Sequence, residues 1–165
     1  MKFAFVFPGQ GSQSVGMLNA FADNAIVRET LQEASDALDQ DLGKLIAEGP
    51  AEDLNLTTNT QPVMLTAAYA IFRAWQAAGG PAPTIVAGHS LGEYTALVAA
   101  GALKFRDAVP LVRFRAQAVQ TRCPSVRAVW PRFSASTTTP CAKCARKHRW
   151  RVSSKPSTSM RPRRS

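Results

Sequence analysis

The last third of this 165-residue sequence contains no acidic residue. Residues 1–107 hold all 11 Asp and Glu and only 6 basic residues, a balance of −5, whereas residues 108–165 hold 14 Lys and Arg, so the formal charge of +9 is no property of the whole chain. Cysteine is scarce as well. The three present, Cys123, Cys141 and Cys144, lie far from most of the apolar sequence, which excludes a disulfide-stapled scaffold. Long apolar runs are missing too: nothing approaches the roughly 18 residues of a membrane span, and Met1–Gly9 is too short and lacks the cleavage site of an export signal. The expectation is a cytoplasmic protein with one domain's worth of folded chain.

What is present is an alternation of strand and helix signals. Phe3–Phe7 (FAFVF) is a short buried strand stopped by Pro8-Gly9, and the loop Pro8–Gln13 (PGQGSQ) opens a helical pattern. From Asn24, the apolar residues Ile26, Val27, Leu31, Ala34 and Leu38 recur at helical spacing, with Asp36, Asp39 and Asp41 leaving a polar, broken helix. Leu42–Ala47 is a second short helix, closed by Gly49-Pro50. Asn59 and Thr60 read as a cap before Gln61-Pro62, followed by a long helix over Val63–Ala78 and a Gly79-Gly80-Pro81 stop. Thr84–Ala87 (TIVA) has the composition of a buried parallel strand. Another helix is expected from Asp107, with Pro110 in its first turn and Val109, Val112 and Val119 toward one face.

Between the second strand and the helix after it stands Gly88-His89-Ser90-Leu91-Gly92, a G-x-S-x-G in the strand-to-helix setting this motif requires. A sharp corner lifts a serine hydroxyl from the end of a sheet, and Gly88 and Gly92 are needed because side chains there would meet the neighbouring strand and helix. Ser90 is thus the candidate nucleophile of an acyl transfer. The Leu91 amide, at the positive end of the next helix, is the natural first donor to an oxyanion. A second donor has to come from another loop at the same sheet edge, and Pro8–Gln13 follows the first strand there.

FVFPGQGSQ at 5–13, GPAEDLNLTTNTQPVMLTA at 49–67 and AGHSLGEYTALVAAG at 87–101 together resemble the malonyl-CoA:acyl-carrier-protein transacylases of fatty acid synthesis and the related polyketide acyltransferase domains. The resemblance runs from residue 1 to about 120. It implies an α/β fold, the N-terminal part of a hydrolase-like acyltransferase domain with a parallel sheet and flanking helices. It further implies that Ser90 is acylated, that the backbone amides of Gln10 and Leu91 form the oxyanion hole, and that Arg115 pairs with the malonyl carboxylate. A guanidinium offers two parallel donors to a carboxylate that must be desolvated, which suits that role. The implied partners are malonyl-CoA and acyl carrier protein, with no metal or other cofactor. Arg113, two residues away, projects from a different face of the same helix.

The sequence also departs from that family. A serine needs a base, and the only histidines are His89, whose place beside Ser90 suits a structural role, and His148. The family's catalytic histidine belongs to a second half that has no counterpart here. Impaired or absent activity is therefore expected. A serine esterase or thioesterase, or an inactive fragment that only binds carrier protein, are the rival readings. Residues 121–165 show no sustained apolar period and read as a disordered basic tail. A frameshift is the expected origin of the tail: back-translation of Val129–Ala145 admits, one base away, a frame similar to the family's continuation. Cys141 and Cys144 with His148 make a weak zinc pattern, and phosphate binding by the arginines would be unspecific, so neither metal nor specific nucleic acid is expected.

Overall fold

The computed structural model describes residues 2–122, which fall within a single compact unit. Strand β1 (Ala4–Phe7) leads through a 3-10 turn at Asn19–Phe21 into four helices, α1 (Ala25–Leu38), α2 (Leu42–Glu48), α3 (Ala51–Leu54) and α4 (Thr57–Ala77). Strand β2 (Ile85–Gly88), α5 (Leu91–Ala99) and α6 (Phe105–Arg122) complete it. This is the α/β architecture expected. The two strands pair in parallel, with Ala4 opposite Ile85 and Phe7 opposite Gly88. Both strands therefore open their carboxyl ends, and the loops that follow, at one edge.

Local chemistry sets several boundaries. Asn24 caps α1 by accepting the amides of Ile26 and Val27 at 3.0 and 3.2 Å, and Asp41 caps α2 through the Lys44 amide at 2.8 Å. Helix α1 is continuous rather than broken, because its acidic residues lie on the outer face while Val27, Thr30 and Ala34 turn inward. It ends at Asp39, which takes a left-handed conformation, φ 51°. Arg73 of α4 ties the two helices by donating to Thr30 Oγ1 at 2.9 Å and pairing with Glu29 and Glu33.

Three expectations are corrected. Helix α4 begins at Thr57, so Asn59 and Thr60 lie inside it rather than capping it. Thr60 is fully buried, and its hydroxyl donates locally to the carbonyls of Leu54 and Leu56, so the helix holds it without an unsatisfied polar group instead of ending at it as a cap. Helix α6 begins at Phe105, which leaves Pro110 as its sixth residue rather than in its first turn. Its inner face is Phe105, Ala108, Val109, Val112 and Ala116, whereas Val119 is 45% exposed. The expected disordered tail lies, from residue 123 onward, outside the described residues.

The aromatic residues of β1 anchor the sheet to α4. Phe72 meets Phe5 and Phe7 edge-on at 5.3 and 5.9 Å, and Tyr69 reaches Phe105 of α6 at 4.8 Å. Among the described residues nothing covers the opposite sheet face: Val6 is 72% exposed and Ile85 62%.

Candidate active site

Ser90 occupies a corner that few residues tolerate, with φ 55° and ψ −106°. Such a conformation is held against roughly 1–3 kcal/mol of strain and persists where the surroundings over-determine it. Here they do. A Cβ on Gly88 would lie 2.0 Å from the carbonyl group of Gly92, and one on Gly92 would lie 2.3 Å from the carbonyl oxygen of Phe7. The turn therefore folds back on itself and packs directly on the end of β1. The Gly92 amide donates to the carbonyl of His89 at 2.9 Å, closing the corner just as α5 begins.

The same packing brings in the loop after β1. A Cβ on Gly9 would stand 3.0 Å from the His89 carbonyl oxygen, so the loops carrying Gln10 and Ser90 are in contact. Within the first loop, Gln13 accepts the Gly11 amide at 2.8 Å and donates to Asn55 at 2.8 Å, while the Gln10 side chain donates to Thr57 at 3.3 Å. Those side-chain bonds fix the loop against α3 and α4. Leu91 is the first residue of α5, so its amide is one of the four a helix leaves without an internal acceptor.

Arg115 arrives from α6. Its Nη2 donates to Ser90 Oγ at 3.0 Å and its Nη1 donates to Gln61 Oε1 at 2.8 Å, while the guanidinium sits 5.7 Å from the centre of the Tyr94 ring. Gln61 is 1% exposed. In the sequence Gln61 stands only as part of a helix start, because nothing at residue 61 signals that its amide faces an arginine 54 positions later. Arg113 turns elsewhere. It donates to the Thr58 carbonyl at 3.3 Å, to Asn59 Oδ1 at 3.3 Å and to Gln40 Oε1, and burial lowers its pKa from the ordinary arginine value.

Chemically, the corner holds a hydroxyl beside a guanidinium, at the head of a helix, with a glycine-rich loop alongside. A cation at that distance favours an oxyanion over a neutral hydroxyl and would attract a substrate carboxylate. The side-chain partner of Ser90 Oγ among the described residues is Arg115 rather than a histidine. His89 is exposed next to the corner. His148, Cys123, Cys141 and Cys144 lie outside the described residues, and so does the zinc pattern they composed.

Residues 4–138 match the family model described as acyl transferase domain. A malonyl CoA-acyl carrier protein transacylase of Salmonella typhimurium is 58% identical over 124 residues, which are 74% of this chain and 40% of that protein. Among solved structures, an acyl-carrier-protein S-malonyltransferase from Burkholderia pseudomallei is 85% identical with a TM-score of 0.73, covering 73% of this chain and 39% of its own. A malonyl-transacylase solved in complex with a type II polyketide synthase acyl-carrier protein is 52% identical with a TM-score of 0.72, over 73% of this chain and 40% of that one. The chain thus spans about two fifths of the length of the relatives it matches. With the family model covering most of the sequence and the serine corner, its two loops and Arg115 all inside the matched stretch, the chain belongs to the acyl transferase domain family.

Proposed function

We propose that this chain carries the acyl-accepting part of a malonyl-transfer site, with Ser90 as nucleophile. The observation that carries the reading is the Arg115 guanidinium spanning Gln61 Oε1 and Ser90 Oγ. In a malonyl thioester a single methylene separates the reacting carbonyl from the free carboxylate, so a cation hydrogen-bonded to the attacking oxygen stands where that carboxylate would come to rest. A neutral acyl group would leave the cation unpaired, a source of specificity.

Ser90 Oγ attacks the thioester carbonyl of malonyl-CoA, the tetrahedral oxyanion forms toward the amides of Gln10 and Leu91, and coenzyme A leaves as the thiol, taking up the serine proton. The phosphopantetheine thiol of acyl carrier protein then accepts the malonyl group from the ester, as the names of the relatives suggest. Ser90 would act at a nucleophile elbow, and the strained φ of this residue favours that description. No helix among the described residues is long and apolar enough to cross a membrane. The chemistry requires no metal or redox cofactor.

Intact-mass analysis of the full chain after exposure to malonyl-CoA tests the reading. A malonyl adduct that maps to Ser90, is absent from Ser90→Ala and is discharged by holo acyl carrier protein is the expected result. An adduct elsewhere overturns it, and discharge to water alone identifies an esterase.

A further inference from the structure

Gln10 stands between two glycines, Gly9 and Gly11, and Gly11 takes a positive φ of 109°. Glycine on both sides leaves the peptide planes around residue 10 with little steric restraint, so the local chain does not by itself aim the Gln10 amide. Backbone bonding adds little. Among the described residues, the first amide after β1 to donate to the backbone of a helix is that of Gly16, to Ile46 at 2.7 Å. What fixes this stretch is side chains: Gln13 reaches Asn55, and Gln10 Nε2 donates to Thr57 Oγ1 at 3.3 Å, across 47 positions of sequence. Thr57 is a firm anchor. It is the first residue of α4, only 8% exposed, and β-branched, so its hydroxyl has few places to go.

We propose that Thr57 is a positioning residue of the oxyanion hole. Its hydroxyl holds the Gln10 side chain, and that side chain is the handle by which the Gln10 amide is aimed at the Ser90 corner. The inference rests on the malonyl-transfer reading, which makes this amide an oxyanion donor, and adds a residue to it. The place of Thr57 on α4 gives the role a distinct signature. Gln61 follows it by four residues, so the two share a face of the helix one turn apart, about 6 Å along the axis. Gln61 orients Arg115, which meets the free carboxylate of the acyl group, whereas Thr57 governs a donor to the reacting carbonyl, which every thioester has. One rigid turn therefore sets both ends of the acyl group, each through a different segment. Loss of the Thr57 hydroxyl slows acylation by any thioester, while loss of the Gln61 amide penalises the dicarboxylic one.

The full chain, Thr57→Val and Thr57→Ser are compared by two readouts. Time-resolved intact mass follows acylation of Ser90 by malonyl-CoA and by acetyl-CoA, and amide relaxation in NMR gives the order parameters of Gln10 and Gly11. Thr57→Val keeps the shape and removes the hydroxyl, and it is expected to slow both thioesters by the same factor. That factor is on the order of tenfold, less than the roughly 10²–10³-fold lost when an oxyanion donor is removed outright. The Gln10 and Gly11 order parameters fall from about 0.85 to about 0.6 or below, and Thr57→Ser restores both rate and order. Gln10→Ala approaches the bond from its other end and gives the same loss, with the double variant no slower than either single one. Circular dichroism confirms that each variant is folded. Unchanged order at Gln10 in Thr57→Val overturns the proposal, and so does a Thr57→Ser as slow as Thr57→Val. A loss confined to malonyl-CoA also overturns it, because Thr57 then acts through Gln61 and Arg115. An acylated wild type with an unslowed Thr57→Val sinks this inference alone, whereas a wild type that takes no acyl group from either thioester overturns the malonyl-transfer reading and the oxyanion role with it.

Discussion

Arg113 donates through Nε to the carbonyl oxygen of Thr58 at 3.3 Å. Thr58 is four residues before Pro62, so this carbonyl is the one that the missing proline N–H fails to serve. A side chain from α6 replaces a bond that α4 lost to its own sequence, one turn away from Gln61. The pair Arg113 and Arg115 thus does two jobs from different faces of one helix: one arginine fastens α6 to the start of α4, and the other reaches the serine corner.

Removal of the first of these arginines is expected to loosen the second. Arg113→Ala leaves the Thr58 carbonyl and Gln40 Oε1 short of a donor, at a cost of about 1–3 kcal/mol, read as a lower urea midpoint with an unchanged slope. Arg113→Lys recovers only part, since an ammonium gathers its three donors on one nitrogen and cannot span acceptors on α4 and at Gln40 as the separate guanidinium nitrogens do.

Gln61→Ala, by contrast, is expected to alter the site more than the fold. The buried amide oxygen is lost together with the orientation of the Arg115 guanidinium, so malonylation of Ser90 slows by about tenfold, some 1.4 kcal/mol. Arg115→Ala goes further and erases the preference for malonyl-CoA over acetyl-CoA. Time-resolved intact mass with both thioesters measures each effect, and an unaltered preference in Arg115→Ala would remove the carboxylate role.

Ser90→Gly is expected to stabilise the fold while abolishing acylation. Glycine accepts φ 55° without a Cβ penalty, which recovers about 1 kcal/mol or more, partly offset by the lost hydrogen bond to Arg115. A raised melting temperature alongside a vanished malonyl adduct is the predicted pairing, and a lowered one would mean that the corner is not strained.

Gly92→Ala should be among the most damaging single-methyl additions, because its Cβ would meet the backbone of β1 at 2.3 Å. Backbone cannot step aside as a side chain can, and a loss of about 3 kcal/mol is expected. Gly79→Ala serves as the control: nothing lies within 4 Å of its Cβ, and only the positive φ of 78° is strained, at about 1 kcal/mol. Denaturant unfolding separates the two.

Much of this was legible beforehand where local chemistry decides structure. FAFVF, TIVA and the glycines around Ser90 specify strand, strand and corner by composition alone, and their parallel pairing follows from the helical sequence between them. The start of α4 was not legible. Thr57, Thr58, Asn59 and Thr60 have the composition of a loop, and only the burial of Thr57 and Thr60 and the reach of Arg113 make a helix of them. Val119 differs for the opposite reason: its spacing fits the inner face, yet it is 45% exposed, one turn beyond the buried Ala116. Arg115 is legible only through its register with the family, and the sequence holds no sign of the Gln61 amide that orients it.

The parallel register of β1 and β2 has a temporal consequence. Ala4 pairs with Ile85, so everything from residue 8 to residue 84 must be looped out before the two strands can meet. Pairings this distant along the chain are slow to form, because the entropy of closing the loop precedes any reward. During synthesis, the aromatic residues of the first strand wait for a partner that emerges only after four helices. A hydrophobic segment exposed for so long is where a chaperone would be expected to bind the nascent polypeptide first.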